Sequence, residues 1–174
     1  MSRAAISYLA ILVTVLSAAA PWSARADAPP GACKFLTIDQ VSAALGTPVT
    51  AGGKISTVDH VGATVSSCMW MAGRIAVVLG VDERGTANAA MAAYRTQLAD
   101  SQSKSKDTKG ASDEQKTTPE SGIGEGAYAE DRSDGSILGI TAVHGTRVFT
   151  LGALGAGSLP HEKLRNLMQT VVSH

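Results

Sequence analysis

The residues with the clearest chemical potential lie in one short stretch, SSCMWMAG, over residues 66–73. Cys68 could act as a nucleophile, a redox centre, a metal ligand or half of a disulfide, and the thioethers of Met69 and Met71 flank Trp70 beside it. Because thioethers suit Cu(I), copper is the sharpest metal hypothesis. A copper site would need one more ligand, from Met91, Met168 or His60. Strand alternation sets Met69 and Met71 opposite Trp70, and methionine commonly fills cores, so we predict no metal site.

The start of the chain indicates the compartment in which Cys68 works. Arg3 precedes an apolar run over residues 6–20, and Ala24-Arg25-Ala26 supplies the small residues of a cleavage site. A run of about 15 apolar residues is too short to span a bilayer and is typical of a secretory signal peptide. We therefore predict that residues 1–26 are removed, and that residues 27–174 form a periplasmic or secreted domain without stable membrane insertion.

Export favours a structural role for the cysteines. The chain has two, Cys33 and Cys68, and an oxidising compartment favours their pairing. A catalytic thiol would need a lowered pKa, and no base stands near either residue in the sequence. We predict a disulfide between Cys33 and Cys68.

The composition argues against two classes of partner. Lys and Arg number 15, as do Asp and Glu, and aromatic residues make up only 4% of the chain. Such a chain has neither the charge to attract nucleic acid nor the aromatic side chains for a base-stacking platform. We predict no nucleic-acid binding.

Periodicity outlines the secondary structure. A capping box at Thr37–Gln40 begins a helix that Gly46 ends, and the pattern over residues 48–81 predicts β-structure, with a turn at Gly52-Gly53. An alanine-rich helix starts at Thr86, with an apolar stripe that we assign to Ala87, Met91, Tyr94 and Leu98. Strands follow over residues 127–151, and the chain ends in a helix capped by Ser158, with Pro160 in its first turn.

Residues 101–121 interrupt this pattern. The segment is rich in Lys, Asp, Glu and Ser and has no large apolar side chain. Because it has too little apolar surface to offset its ordering entropy, we predict a mobile polar loop within a single domain.

The order of elements predicts an α+β fold. Strands joined by short turns should be antiparallel, and such a sheet would bury one face under the helices. The expected architecture is an antiparallel sheet with helices packed on one face and one disulfide. The two strand-then-helix halves suggest a worn pseudo-repeat.

Three segments, CKFLTIDQVSAALG, CMW and GIGEGAY, resemble in order and spacing a family of small exported bacterial domains of uncharacterised function. Many members are actinobacterial lipoproteins, and their fold is similar to the extracellular sensor domain of a mycobacterial serine/threonine kinase. The resemblance implies an α+β envelope domain with the cysteines at 33 and 68 paired, and it supplies no catalytic residues. The lipid-anchor motif of many members is missing from this chain.

We find no candidate catalytic or cofactor-binding residue. The glycine run at residues 122–126 follows a polar segment and precedes a strand, whereas a phosphate-binding loop joins a strand to a helix. Asp59 and His60 are adjacent in a strand and so point to opposite faces. The other histidines, His144, His161 and His174, have no ligand partner at zinc-like spacing.

Two functions outside catalysis stay open. The first is a ligand-binding or sensor-like module, with a pocket between sheet and helices. The alternative is an interaction or inhibitor module that docks on an envelope protein through an exposed face. The sequence names neither the small ligand nor the envelope partner.

Overall fold

The computed structural model describes residues 31–60, 62–107, 109, 114–132, 137–155 and 159–174, with only the backbone over 51–57, 59–60 and at 137. The predicted signal peptide lies outside these residues. After a 3₁₀ helix at Gly31–Lys34, the elements are α1 (Ile38–Leu45), β1 (Thr50–His60), β2 (Ala63–Ala72), β3 (Ile75–Arg84), α2 (Ala87–Asp107), β4 (Gln115–Glu120), β5 (Gly126–Arg132), β6 (Ile137–His144), β7 (Arg147–Gly155) and α3 (His161–Val172). Among the described residues, no helix is long and apolar enough to cross a membrane.

All seven strands form one antiparallel sheet, in the order β1-β2-β3-β7-β6-β5-β4. Each half of the chain is a meander of sequential hairpins, and the two meanders meet where β3 pairs with β7. The predicted α+β class and antiparallel sheet are confirmed.

The first helix has the ends that its sequence predicts. The Thr37 hydroxyl accepts from the Gln40 amide at 3.2 Å, and the Gln40 side chain accepts from the Thr37 amide at 2.8 Å. Gly46 ends the helix at φ 70°, a left-handed conformation that glycine adopts without a steric penalty. This cap holds Val41, which is fully buried, against the sheet.

The helices lie on both faces of the sheet rather than on one. On the first face, α1 and α3 cover the main core, which includes Trp70, Phe149 and Leu164. On the second face, α2 packs Ala90 and Tyr94 against side chains of the opposite alternation. Antiparallel pairing of two repeats requires a two-fold axis perpendicular to the sheet, and such an axis would keep their helices on one face. The halves therefore share their order of elements, but this symmetry does not relate α2 to α3.

The prediction of a mobile polar loop over residues 101–121 is wrong for most of its length. The second helix continues to Asp107, and Gln115–Glu120 forms β4 at the sheet edge. Ser101 and Ser105 explain the order: the first bonds to Thr117 and the second to the carbonyl of Gln115. Polar partners on neighbouring elements thus supply the stabilisation that apolar burial does not. Lysines in the last turn of α2 also complement the helix dipole.

Three local predictions also need correction. Gly52 and Gly53 lie inside β1, beside a register shift, rather than in a turn. Pro160 is the N-cap residue of α3 rather than part of its first turn, and the predicted cap, Ser158, lies outside the described residues. Of the predicted apolar stripe of α2, Met91, Tyr94 and Leu98 do pack against the sheet, but Ala87 is exposed. The fully buried residues of α2 are Ala90, Tyr94 and Ser101.

Candidate functional site

The predicted disulfide is present. The sulfurs of Cys33 and Cys68 are 2.06 Å apart and tie the 3₁₀ helix to β2. Cys68 and Trp70 project from β2 into the first-face core, where they are 0% and 2% exposed. Cys68 is therefore a structural cysteine buried in the core, without a free thiol.

The structure removes one candidate ligand of the copper hypothesis from the others. Met91 packs with α2 on the second face, and the side chain of His60 lies outside the described residues. The ladder places Met69 and Met71 on the second face of the sheet, as predicted, whereas Met168 is fully buried under the first. Among the residues that the structure describes, no three His, Cys, Asp or Glu side chains group as metal ligands.

The histidines are dispersed. His144 lies in the β6–β7 turn, with Nδ1 3.8 Å from a Glu125 oxygen. His161 begins α3, and its Nε2 lies 2.7 Å from Glu120 Oε1. Arg165 donates to the same carboxylate and to the Ser121 carbonyl, so this second cluster fastens β4 to α3. The prediction that a strand follows the glycine run is confirmed, because β5 follows it directly.

The most concentrated group of functional side chains lies between α2 and the second face of the sheet. Ser101 is 5% exposed in the middle of a polar helical segment. Its hydroxyl lies 2.7 Å from the Thr117 hydroxyl and donates to Glu130 Oε1 at 2.7 Å. A hydroxyl is thus buried where a helix core position would normally hold an apolar side chain.

These groups open into a cleft of about 220 Å³ that we call the polar cleft. One wall is a single stripe of α2, and the other is contributed by β5, β6 and β7. Every lining side chain can form hydrogen bonds: Gln97, Asp100, Ser101, Lys104, Tyr128, Glu130, Thr141 and Thr150. The stripe follows i, i+3, i+4, i+7 spacing, which places its members on one helix face.

Strand register builds the floor of the polar cleft. Tyr128, Thr141 and Thr150 are direct partners across three strands and therefore project to the same face. The Thr141 and Thr150 hydroxyls are 3.4 Å apart. Thr141 is 3% exposed whereas Thr150 is exposed, so the floor runs from the interior toward solvent.

Burial determines the protonation of the phenol in this floor. Desolvation raises the pKa of Tyr128, and the nearby carboxylates of Glu130 and Asp100 raise it further, against a lowering by its hydrogen bond with Thr141. At neutral pH Tyr128 is a neutral hydroxyl that can donate or accept. The centroid of its ring lies 5.7 Å from that of Tyr94 on α2.

The chemistry of the polar cleft suits recognition. It offers hydroxyl, amide, carboxylate and ammonium groups around a space that corresponds to roughly seven water molecules at about 30 Å³ each. Its lining contains no histidine or cysteine. The sequence did not reveal this site, because its lining residues are dispersed from 97 to 150. Half of them lie on α2, either in the segment predicted as a loop or in the turn of helix just before it.

Comparison of the chain with protein-family models, with curated proteins and with solved structures yields no match.

Proposed function

We propose that this protein is an exported cell-envelope domain that binds a small, hydroxyl-rich ligand in the polar cleft, as a ligand-binding or sensor-like module without catalysis. The observation that carries the proposal is the hydrogen-bond network of the buried Ser101 with Glu130 and Thr117, beside an open cleft whose lining side chains can all form hydrogen bonds. Buried polar groups are costly unless they are satisfied, so a polar wall around a cleft favours a ligand that can exchange hydrogen bonds with it.

The ligand class follows from the lining. Two carboxylates and one ammonium leave little net charge, and four hydroxyls provide both donors and acceptors. A neutral polyol or sugar-like molecule can pair with all of these groups, whereas a strongly charged ligand would be left with an unpaired charge. The small volume limits the bound part to a few heavy atoms.

Binding is tested by NMR titration of the 15N-labelled protein with glycerol and neutral monosaccharides. We expect saturable shifts of amides around Thr141 and Thr150, with Kd on the order of 1 mM or tighter. Thr141→Val keeps the side-chain shape and removes one hydroxyl, so it should weaken binding about fivefold. Thr170→Val in α3, outside the cleft, is the matched control and should bind as the wild type. The proposal fails if no probe shifts the cleft amides in a saturable manner.

Export is supported by the leader-like start of the chain and by the formed disulfide, which is typical of oxidising compartments. N-terminal sequencing of the protein recovered from the periplasm or medium tests it. We expect the first residue to be Asp27. An intact Met1 on protein found only in the cytoplasm would contradict this part of the proposal.

A further inference from the structure

The second face of the sheet is only partly covered. The second helix contacts β3, β7, β6 and β4, and its buried residues lie over the Val143 and Val148 end of the sheet. Beyond the exposed Thr150, the described residues of β2, β3 and the end of β7 on this face are not part of the core that α2 covers. The polar cleft therefore opens sideways onto this part of the sheet, which we call the bare sheet.

The first part of the bare sheet contains two glycines, on β3 and β7, beside Ser67 of β2. Gly80 is the direct partner of Thr150, and Gly152 is the next residue of β7 on the same face. A Cβ atom at Gly80 would meet only atoms of Thr150 within 4 Å, and one at Gly152 only the Leu138 carbonyl. A Cβ at Gly80 would make only ordinary contacts, whereas at Gly152 the Leu138 carbonyl oxygen, at 3.1 Å, leaves less room. Neither position carries a side chain, so the two glycines continue the floor of the polar cleft.

The far part of the bare sheet is apolar. Val78 faces Gly152 across the ladder, and Met69 faces Val78. One row further on, Met71 and Leu154 flank Ala76 and are 40% and 58% exposed. We call Met69, Met71, Val78 and Leu154 the apolar strip. Of the four large apolar side chains that are strongly exposed in the described part of the chain, three lie on this face: Val58, Met71 and Leu154.

We propose that the ligand is an amphiphile, with a hydroxylated headgroup in the polar cleft and a single acyl or alkyl chain laid across Gly80 and Gly152 onto the apolar strip. This inference rests on the proposed function, because the headgroup occupies the same cleft. The path from Thr150 to Leu154 covers four residues of β7, about 14 Å at the usual rise per strand residue. Continuity carries the argument, because hydroxyls, glycines without side chains and apolar side chains follow one another on one face.

The chain is expected to supply most of the affinity. Apolar area removed from water contributes roughly 25 cal/mol per Å², whereas the hydrogen bonds of a headgroup largely replace bonds to water. An acylated headgroup should therefore bind at least about tenfold more tightly than the same headgroup alone. Large exposed apolar side chains that lie together are also typical of a site that a ligand or partner covers.

The experiment compares glycerol with glycerol monolaurate, below its aggregation concentration, on protein labelled with 13C at methionine methyls and 15N at amides. We expect both probes to shift cleft amides, and only glycerol monolaurate to shift the Met69 and Met71 methyls. The Met168 methyl, buried under the other face, is the internal reference. Leu154→Lys should weaken glycerol monolaurate about tenfold and leave glycerol unchanged. Ile38→Lys, at an apolar residue 40% exposed on α1, is the matched control.

The outcomes separate this inference from the proposed function. Equal affinity for both probes with unmoved Met69 and Met71 methyls would overturn the amphiphile and leave the headgroup cleft standing. Methyl shifts without cleft shifts, or binding of neither probe, would overturn both. If the two methyls shift with protein concentration alone, a second copy of the chain covers the apolar strip and the amphiphile is again overturned. A protein partner on the apolar strip would also overturn the amphiphile. It would be detected if envelope extract shifts the Met69 and Met71 methyls in a sample that binds no glycerol monolaurate.

Discussion

Reduction of the disulfide should remove a large part of the stability of this domain. Cys33 and Cys68 are 35 residues apart, and closing a loop of that length lowers the entropy of the unfolded chain by about 13 cal/mol/K, or about 4 kcal/mol at 25 °C. Both thiols would stay in place in the reduced native state, so the core around Trp70 should keep its packing. The loss should therefore arise mainly in the unfolded state.

Urea unfolding with and without reductant measures this effect. With a slope of about 2 kcal/mol/M, the midpoint should fall by about 2 M on reduction, and the slope should rise because the unfolded chain becomes more expanded. Cys33→Ala/Cys68→Ala is the control, since reductant should leave its midpoint unchanged. A reduced protein within about 1 kcal/mol of the oxidised one would refute the reasoning, because the expected constraint on the unfolded chain would then be missing.

Three further outcomes follow from single positions, each with its own comparison. Ser101→Ala should cost about 1–3 kcal/mol in urea unfolding, because its half-buried partners Glu130 and Thr117 each lose a hydrogen bond. Exposed Ser103→Ala in the same helix should be neutral or slightly stabilising, and equal effects of the two substitutions would contradict the network. Because burial raises the pKa of Tyr128 above its usual 10.0, its contribution to stability is present below that pH and is lost as pH rises through the native value. In an alkaline unfolding series Tyr128→Phe should thus lose less stability than the wild type, and parallel curves would refute this. Gly124 and Gly145 have similar φ angles of 55° and 56°, but a Cβ at Gly124 would lie 2.3 Å from a carbonyl oxygen, whereas one at Gly145 would meet nothing within 4 Å. Gly145→Ala should therefore cost about 1–2 kcal/mol, and Gly124→Ala clearly more. Thermal melts that rank the two variants the other way would contradict the geometry.

The features that the sequence predicts well are local. The Thr37–Gln40 capping box and the left-handed Gly46 depend on residues three to eight apart, and both are observed. Alternation in β2 likewise places Trp70 in the core and Met69 outside it, because the side-chain period of a strand is two residues. The Cys33–Cys68 pair is not local, but with two cysteines it is the only intramolecular pairing.

The features that the sequence misses depend on distant partners. Ser101 is ordered by Thr117 and Glu130, 16 and 29 residues away, so composition alone made its segment look like a loop. The apolar stripe of α2 indicated a buried side but carried no information on which sheet face it would cover. The polar cleft depends on both features, because its walls form only if α2 continues past Asp100 and lies on the second face of the sheet.

The pairing of β3 with β7 has a consequence for folding. Every other pair in the sheet joins strands that follow each other in the chain, whereas this ladder joins Glu83 to Arg147 and Leu79 to Leu151. Hairpins form in about 1–10 μs, but this non-local contact must first close a long loop, which slows folding. We therefore expect the two meanders to acquire amide protection separately in a hydrogen-exchange refolding experiment, and the β3–β7 amides to become protected last. Gly80 and Gly152 belong to the two strands of that junction, so the path proposed for the acyl chain is completed only when the two meanders join.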